Sequence, residues 1–133
     1  MWEKFNFTER QIEQYFNSAF RDFRIAESSK VPEVTFRFGY DALLKLAIAI
    51  CAKNSLRIKS RTGHHVELIN KLAEFLPNSD IEIIGQKMRQ KRNWDLYDGG
   101  ITISEKEAEE FFEWIKKIFA QGKNYLDKKP KLL

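Results

Sequence analysis

The chemically most capable residues of this sequence gather in one run, KMRQKRNWDLY, which carries Arg89, Lys91, Arg92, Asn93 and Tyr97. Arginine presents a planar fork of donors that matches phosphate or carboxylate through two parallel hydrogen bonds. On a helix, Arg89, Asn93 and Tyr97 are spaced by four and stack along one side. Arg92 falls on a different stripe, begun by Ile81, Ile84, Gly85 and Met88 and continued by Asp95 and Leu96. A hydrophobe is expected at that position. The guanidinium therefore requires a receiver: a carboxylate such as Asp41, a second copy of the chain, or an anionic ligand. Arg92 and Tyr97 are five apart, about 140° round a regular helix. They converge only where the helix end unwinds, as Gly99-Gly100 permits, or where a partner subunit supplies one of them.

His64 and His65 are adjacent and would point about 100° apart on a helix. That is not the i, i+4 spacing of a helical zinc pair, and no third ligand is evident. They read as a capping or packing pair, or as imidazoles that the fold brings to Arg92. Cys51 is the single cysteine, which excludes an internal disulfide and a cysteine metal cluster. It reads as a small core residue. Nothing resembles a glycine-rich phosphate loop or a Ser-His-Asp set, so no metal and no cofactor is expected.

The elements that must hold these residues are helical. A first helix is expected from about Glu9 to Glu27 with Thr8 as N-cap, its face built from Ile12, Tyr15, Phe16, Ala19, Phe20 and Phe23. Pro32 suits the first turn of a second helix running to about Asn54. That helix is nearly apolar from Ala42 onward, so it should be central. Ser55–Gly63 reads as a basic loop. A third helix is expected from about Gly63 or His64 to Leu76, capped by Thr62 and stopped by Pro77. Ser79 with Glu82, and Ser104 with Glu107, have capping-box spacing for a fourth and a fifth helix. The fourth should close at Gly99-Gly100, and Gly122 should end or fray the fifth. No run alternates as a strand does. The expectation is an all-α, up-and-down bundle of about five helices in one domain, residues 1–127, with 128–133 as a loose tail.

Composition agrees with one core. The chain has 133 residues, 43% hydrophobic and 32% charged, which excludes a disordered or collagen-like polymer. The N-terminus is too charged for a signal peptide, and the longest weakly polar run, Tyr40–Ala52, is too short to span a bilayer. A cytoplasmic protein with no membrane contact is expected. The net charge of +4 permits a nucleic-acid partner without demanding one. Lys53–Arg61 and Lys87–Arg92 each hold four positive charges and no acid, whereas Glu105–Glu113 holds five glutamates and one lysine. The two basic runs would form an electrostatic approach for RNA, and each also reads as a solvated helix face.

The segment Arg92-Asn93-Trp94-Asp95-Leu96-Tyr97 resembles the motif of HEPN domains, an arginine with a polar follower and then a histidine a few residues on. The small-residue-rich FGYDALLKLAIAICAKN is similar to the central helix of these domains, and RTGHHVELINKL to their Gly-His-rich approach to the third helix. The resemblance covers roughly Phe36–Ile118. It implies a prokaryotic helical bundle, commonly a homodimer. Many HEPN members are metal-independent RNases, some the toxin half of a toxin–antitoxin pair, and others sit beside a minimal nucleotidyltransferase. The motif arginine carries over to Arg92 and the polar follower to Asn93. Tyr97 stands where the shortest spacing places the histidine, and Asp98 and Gly99 occupy the longer spacings. Tyrosine, with a pKa near 10, is a poor base at neutral pH. The resemblance thus implies a non-catalytic homodimeric module that binds a partner protein, such as a nucleotidyltransferase, or the phosphate of a nucleotide or RNA. The alternative is an RNase using Arg92, Asn93 and Tyr97 at the dimer cleft, with Arg89, Lys91, Asp41, His64 and His65 as ligand-binding neighbours.

Overall fold

The computed structural model describes residues 2–59, 64–97 and 103–128, and of 94–97 the backbone alone. It is an all-α bundle of five helices with one small ribbon: β1 (Trp2–Lys4), α1 (Glu9–Ser28), α2 (Pro32–Lys53), β2 (Leu56–Ile58), α3 (His64–Phe75), α4 (Asp80–Tyr97) and α5 (Glu105–Asp127). No described helix is long and apolar enough to cross a membrane.

The centre is α2. Leu43, Leu46, Ala47 and Ile50 are fully buried, and α1, α3, α4 and α5 all pack on this helix. Lys45, half-buried on this helix, meets Asp22 of α1 at 2.7 Å. Asp22 is 2% exposed and also receives Arg21 Nη2 at 3.4 Å, so the pair ties α1 to α2 and loss of Lys45 would leave a buried carboxylate with only that longer contact.

The helix starts follow local chemistry. Thr8 and Gln11 form a full capping box, as do Ser104 and Glu107. Pro32 opens α2. At the start of α4 the accepting side chain is Asn78, whose Oδ1 takes the Asp80 N–H at 3.0 Å, one residue before the expected Ser79. The expected Thr62 cap and the Gly99-Gly100 terminus lie outside the described residues, as does most of the tail.

Two expectations are corrected. Part of the expected basic loop is strand: β2 pairs antiparallel with β1 in the register Trp2–Ile58, Glu3–Arg57 and Lys4–Leu56. Ser55 makes the turn into it with φ of 59°, a left-handed conformation uncommon for a residue other than glycine. Three-residue strands are too short to show alternation. Gly122 neither ends nor frays α5, which continues to Asp127. Its role is close approach: a Cβ there would stand 2.7 Å from Leu46 Cδ2.

Gly39 is also buried in a helix, but a Cβ there would meet Ile115 at an ordinary 3.9 Å. Gly39→Ala is therefore expected to stabilise the fold by about 0.5–1 kcal/mol through helix propensity. Gly122→Val is expected to cost about 1–3 kcal/mol through overpacking against Leu46. Urea denaturation of the two variants checks both signs.

Candidate functional site

The antiparallel α3–α4 pair brings the start of α3 beside the last turns of α4, where both meet the first half of α2. Ile81, Gly85 and Met88 continue the buried stripe of α4, and Arg92 is the next residue on it, half-buried. Its guanidinium carbon lies 5.8 Å from the centre of the Tyr40 ring. The electron-rich ring face receives a cation at that distance. Tyr40 itself is fully buried on α2, and its hydroxyl is hydrogen-bonded to His65 Nδ1 at 3.2 Å. His64 packs edge-on against His65, with ring centres 4.6 Å apart.

The second arginine is fixed from the side. Arg89 Nε donates to Gln86 Oε1 at 2.8 Å. Gln86 in turn donates to Asn70 Oδ1 and to the Val66 carbonyl, both on α3. Among the described residues, neither Arg89 nor Arg92 forms an ion pair with a carboxylate.

Burial and the two guanidinium charges set the protonation states. Burial, with help from His64, Arg92 and Arg89, pushes the His65 imidazole down to about 4. Burial holds the Tyr40 phenol above its ordinary value, against the pull of Arg92 and Arg89. At neutral pH the cluster is therefore two guanidinium cations beside a neutral imidazole and a neutral phenol. Burial also raises the half-buried Asp41 carboxyl, and Arg92 opposes this. Asp41 thus feels Arg92 without making the ion pair that the sequence invited.

Of the residues singled out from sequence, Arg92, Arg89, His65, His64 and Asp41 come together at this end of the bundle. Asn93 is half-buried on α4, one turn after Arg89. Tyr97 is the last residue of α4, and its side chain lies outside the described residues. Lys91 points elsewhere: it is paired with Glu107 of α5, and that hydrogen bond holds the Glu107 carboxyl below its ordinary range. The first basic run is also committed elsewhere. Lys53 donates to the Leu126 carbonyl, and Arg57 and Lys59 are both paired with Glu3. Lys53 stands roughly 20 Å along α2 from Tyr40, and Arg61, the last cation of that run, lies outside the described residues.

The residue that the sequence reading missed is Tyr40. It stands just before the apolar stretch of α2, where an aromatic residue reads as core. Its signal was a polar-tipped aromatic next to Asp41, where the helix changes from mixed to apolar character.

The described residues hold no group of three or more His, Cys, Asp or Glu side chains able to bind a metal. The chemistry available is anion recognition by two guanidiniums, one over the Tyr40 ring and one hydrogen-bonded to Gln86. No known protein family, curated protein or solved structure matches the chain. The arrangement has to be judged on its own geometry.

A low imidazole pKa makes a signed prediction. Unfolded, His65 takes up its proton near pH 6.5, whereas folded it does so near 4. Between these values the unfolded chain binds more protons, so stability should fall as pH drops from about 6.5 to 4 and then level off for this group. Replacing His65 by Gln should make that decline shallower, as urea midpoints across the pH range would show.

Proposed function

We propose that the chain is a HEPN-like helical module, acting as a homodimer, that binds RNA through its phosphates at Arg89 and Arg92. One observation carries this reading: Arg92 stands on the buried stripe of its helix, with no carboxylate partner among the described residues, over a tyrosine hydrogen-bonded to a neutral histidine. A half-buried guanidinium is stabilised by an anion, and Arg89 beside it supplies the second fork that a phosphodiester can use. Asp41 lies close enough to act on Arg92 without pairing with it, and burial raises its carboxyl above the ordinary value. The nucleotidyltransferase partner that the resemblance implies has no comparable observation behind it.

A second reading, a metal-independent RNase, is favoured by the position of His65. With Nδ1 engaged by Tyr40, its Nε2 is the atom able to exchange a proton with a ligand. In that reaction His65 Nδ1–H donates to the Tyr40 oxygen, Nε2 takes the 2′-hydroxyl proton while O2′ attacks phosphorus, and the 5′ oxygen leaves with a proton from water. An imidazole near 4 is a weak base for this at neutral pH, since general bases work best with a pKa close to the operating pH. Binding is therefore the reading the electrostatics support.

Fluorescence anisotropy with a labelled ten-nucleotide oligouridylate tests this. Arg92→Ala should weaken binding about ten- to a hundredfold, the loss expected for a charged hydrogen bond. Its salt slope should fall by about one phosphate contact. Arg92→Lys, which keeps the charge without the fork, should fall between, and Arg89→Ala should lose less than Arg92→Ala. Lys116→Ala, on the exposed face of α5, should bind like the parent. A flat salt dependence, or an Arg92→Ala variant equal to the parent, would refute the proposal. Incubating the same RNA with the parent in EDTA separates the second reading: cleavage lost in His65→Ala makes the protein an RNase.

A further inference from the structure

The helices α1 and α5 lie antiparallel on α2, and phenylalanine rings bridge the space between them. The Phe119 ring of α5 meets Phe16, Phe20 and Phe23 of α1 at centre distances of 5.5, 6.3 and 4.7 Å, and Phe112 meets Phe23 at 5.2 Å. Phe20 is 41% exposed, so this aromatic ridge opens to solvent there.

A hollow flanks the ridge at each end. The first, of about 410 Å³, has Ile12, Phe16 and Leu126 in its wall and Glu9, Glu13 and Asp127 on its rim. The second, of about 370 Å³, lies over Ala26, Ala108 and Phe112 and is rimmed by Glu27, Glu105, Glu109 and Glu113. The cations lining the two hollows are Lys53, Lys123 and Lys30, and Lys53 is taken up by the Leu126 carbonyl. Arg24 reaches Glu27 at 3.7 Å and lies 5.9 Å from the centre of the Phe20 ring, and Lys116 reaches Glu113 at 3.9 Å. Glu9, Glu13, Glu105, Glu109 and Asp127 form no ion pair among the described residues. The face is therefore aromatic in the middle and acidic at both ends, on a chain whose net charge is +4.

The spacing is helical. Glu13, Phe20 and Glu27 follow one another at intervals of seven residues, which puts them on one stripe of α1 with roughly 10 Å between neighbours. A second helix laid along that stripe offers a side chain every two turns at the same interval. An apolar residue seated on Phe20 then carries the residues two turns away into the two hollows. From Glu9 to Glu27 the face spans roughly 27 Å, the length of a helix of about 18 residues.

We propose that this face docks a basic amphipathic helix of another protein. Its apolar stripe lies on Phe16 and Phe20, with lysine or arginine about two turns to either side, over Glu9 and Glu13 at one end and over Glu105 and Glu109 at the other. The rings supply apolar area, and the carboxylates left without a cation favour a basic partner over an acidic one. Nothing in this assignment depends on the RNA-binding reading.

The probe is an amidated, fluorescently labelled peptide of about 18 residues, with leucine along one helical stripe and lysine two turns to either side of its centre, followed by anisotropy. Its control carries glutamine at every lysine. The parent should bind the lysine peptide saturably and the glutamine peptide about tenfold more weakly. Phe20→Ser should weaken the lysine peptide about tenfold, and so should the double reversal Glu105→Lys with Glu109→Lys. Glu82→Lys, on the exposed face of α4, should leave its binding unchanged. No saturable binding at millimolar peptide would overturn the proposal, as would equal affinity for the two peptides or full binding by the double reversal. Sedimentation separates the other occupant: a parent dimer that Phe20→Ser and the double reversal both dissociate gives this face to a second copy and also overturns the proposal. If Phe20→Ser fails to fold, the two exposed glutamates carry the test, since their replacement disturbs no core packing.

Discussion

Every other helix in the protein depends on the buried surface of α2. Its small and branched residues between Ala42 and Ala52 let neighbours pack on several sides at once, and Leu46 fills the space that Gly122 leaves on α5. Such a helix has no polar face to mark its orientation. Orientation comes from the Lys45–Asp22 pair toward α1 and from Tyr40, where the apolar wall ends. The candidate site is built at that boundary. Tyr40 is anchored in the core, so the ring under Arg92 and the hydroxyl on His65 are held by packing and not by a loop.

The same boundary explains why a modest net charge tells little about function. Several of the cations in the two basic runs have local partners: Lys91 with Glu107, Arg57 and Lys59 with Glu3, and Lys53 with a helix-end carbonyl. Those pairs fasten α4 to α5, the ribbon to itself and α2 to the end of α5. Arg89 and Arg92 differ: among the described residues the groups around them are a glutamine, an aromatic face, a neutral imidazole and the Asp41 carboxyl, which acts on Arg92 without forming an ion pair with it. Burial that lowers the histidine and raises the tyrosine also strengthens attraction for an anion, because less water screens it.

The helical architecture was legible because each helix carries its own start signal or period: Thr8, Pro32 and Ser104 stand where they were expected. The ribbon was not legible. Its pairing depends on residues more than fifty positions apart, and three-residue strands carry no usable period. Arg92 was legible as an anomaly, a charge on an apolar stripe, and Asp41 was named as a candidate receiver. The actual receiver is one residue earlier, since an aromatic ring that accepts a cation looks in sequence like any other core aromatic. Asp22 went unseen for a related reason: it lies on the buried side of α1, where its close partner, Lys45, comes from another helix. Arg89 and His65, singled out by chemical type, lie at the same end of the bundle as Arg92, whereas Lys91, grouped with them by proximity in sequence, is turned toward Glu107 of α5.

The central claim is that the Arg89, Arg92 and His65 end of the bundle receives RNA phosphate. Its most direct test is a side-chain NMR titration, following arginine Nε–H and histidine ring signals as an oligouridylate is added at low salt. The account predicts that the Arg92, Arg89 and His65 signals move together and saturate at one stoichiometry, while the Arg57 signal stays still. Shifts centred on Arg57, or no shift at Arg92 while RNA is bound, would contradict it.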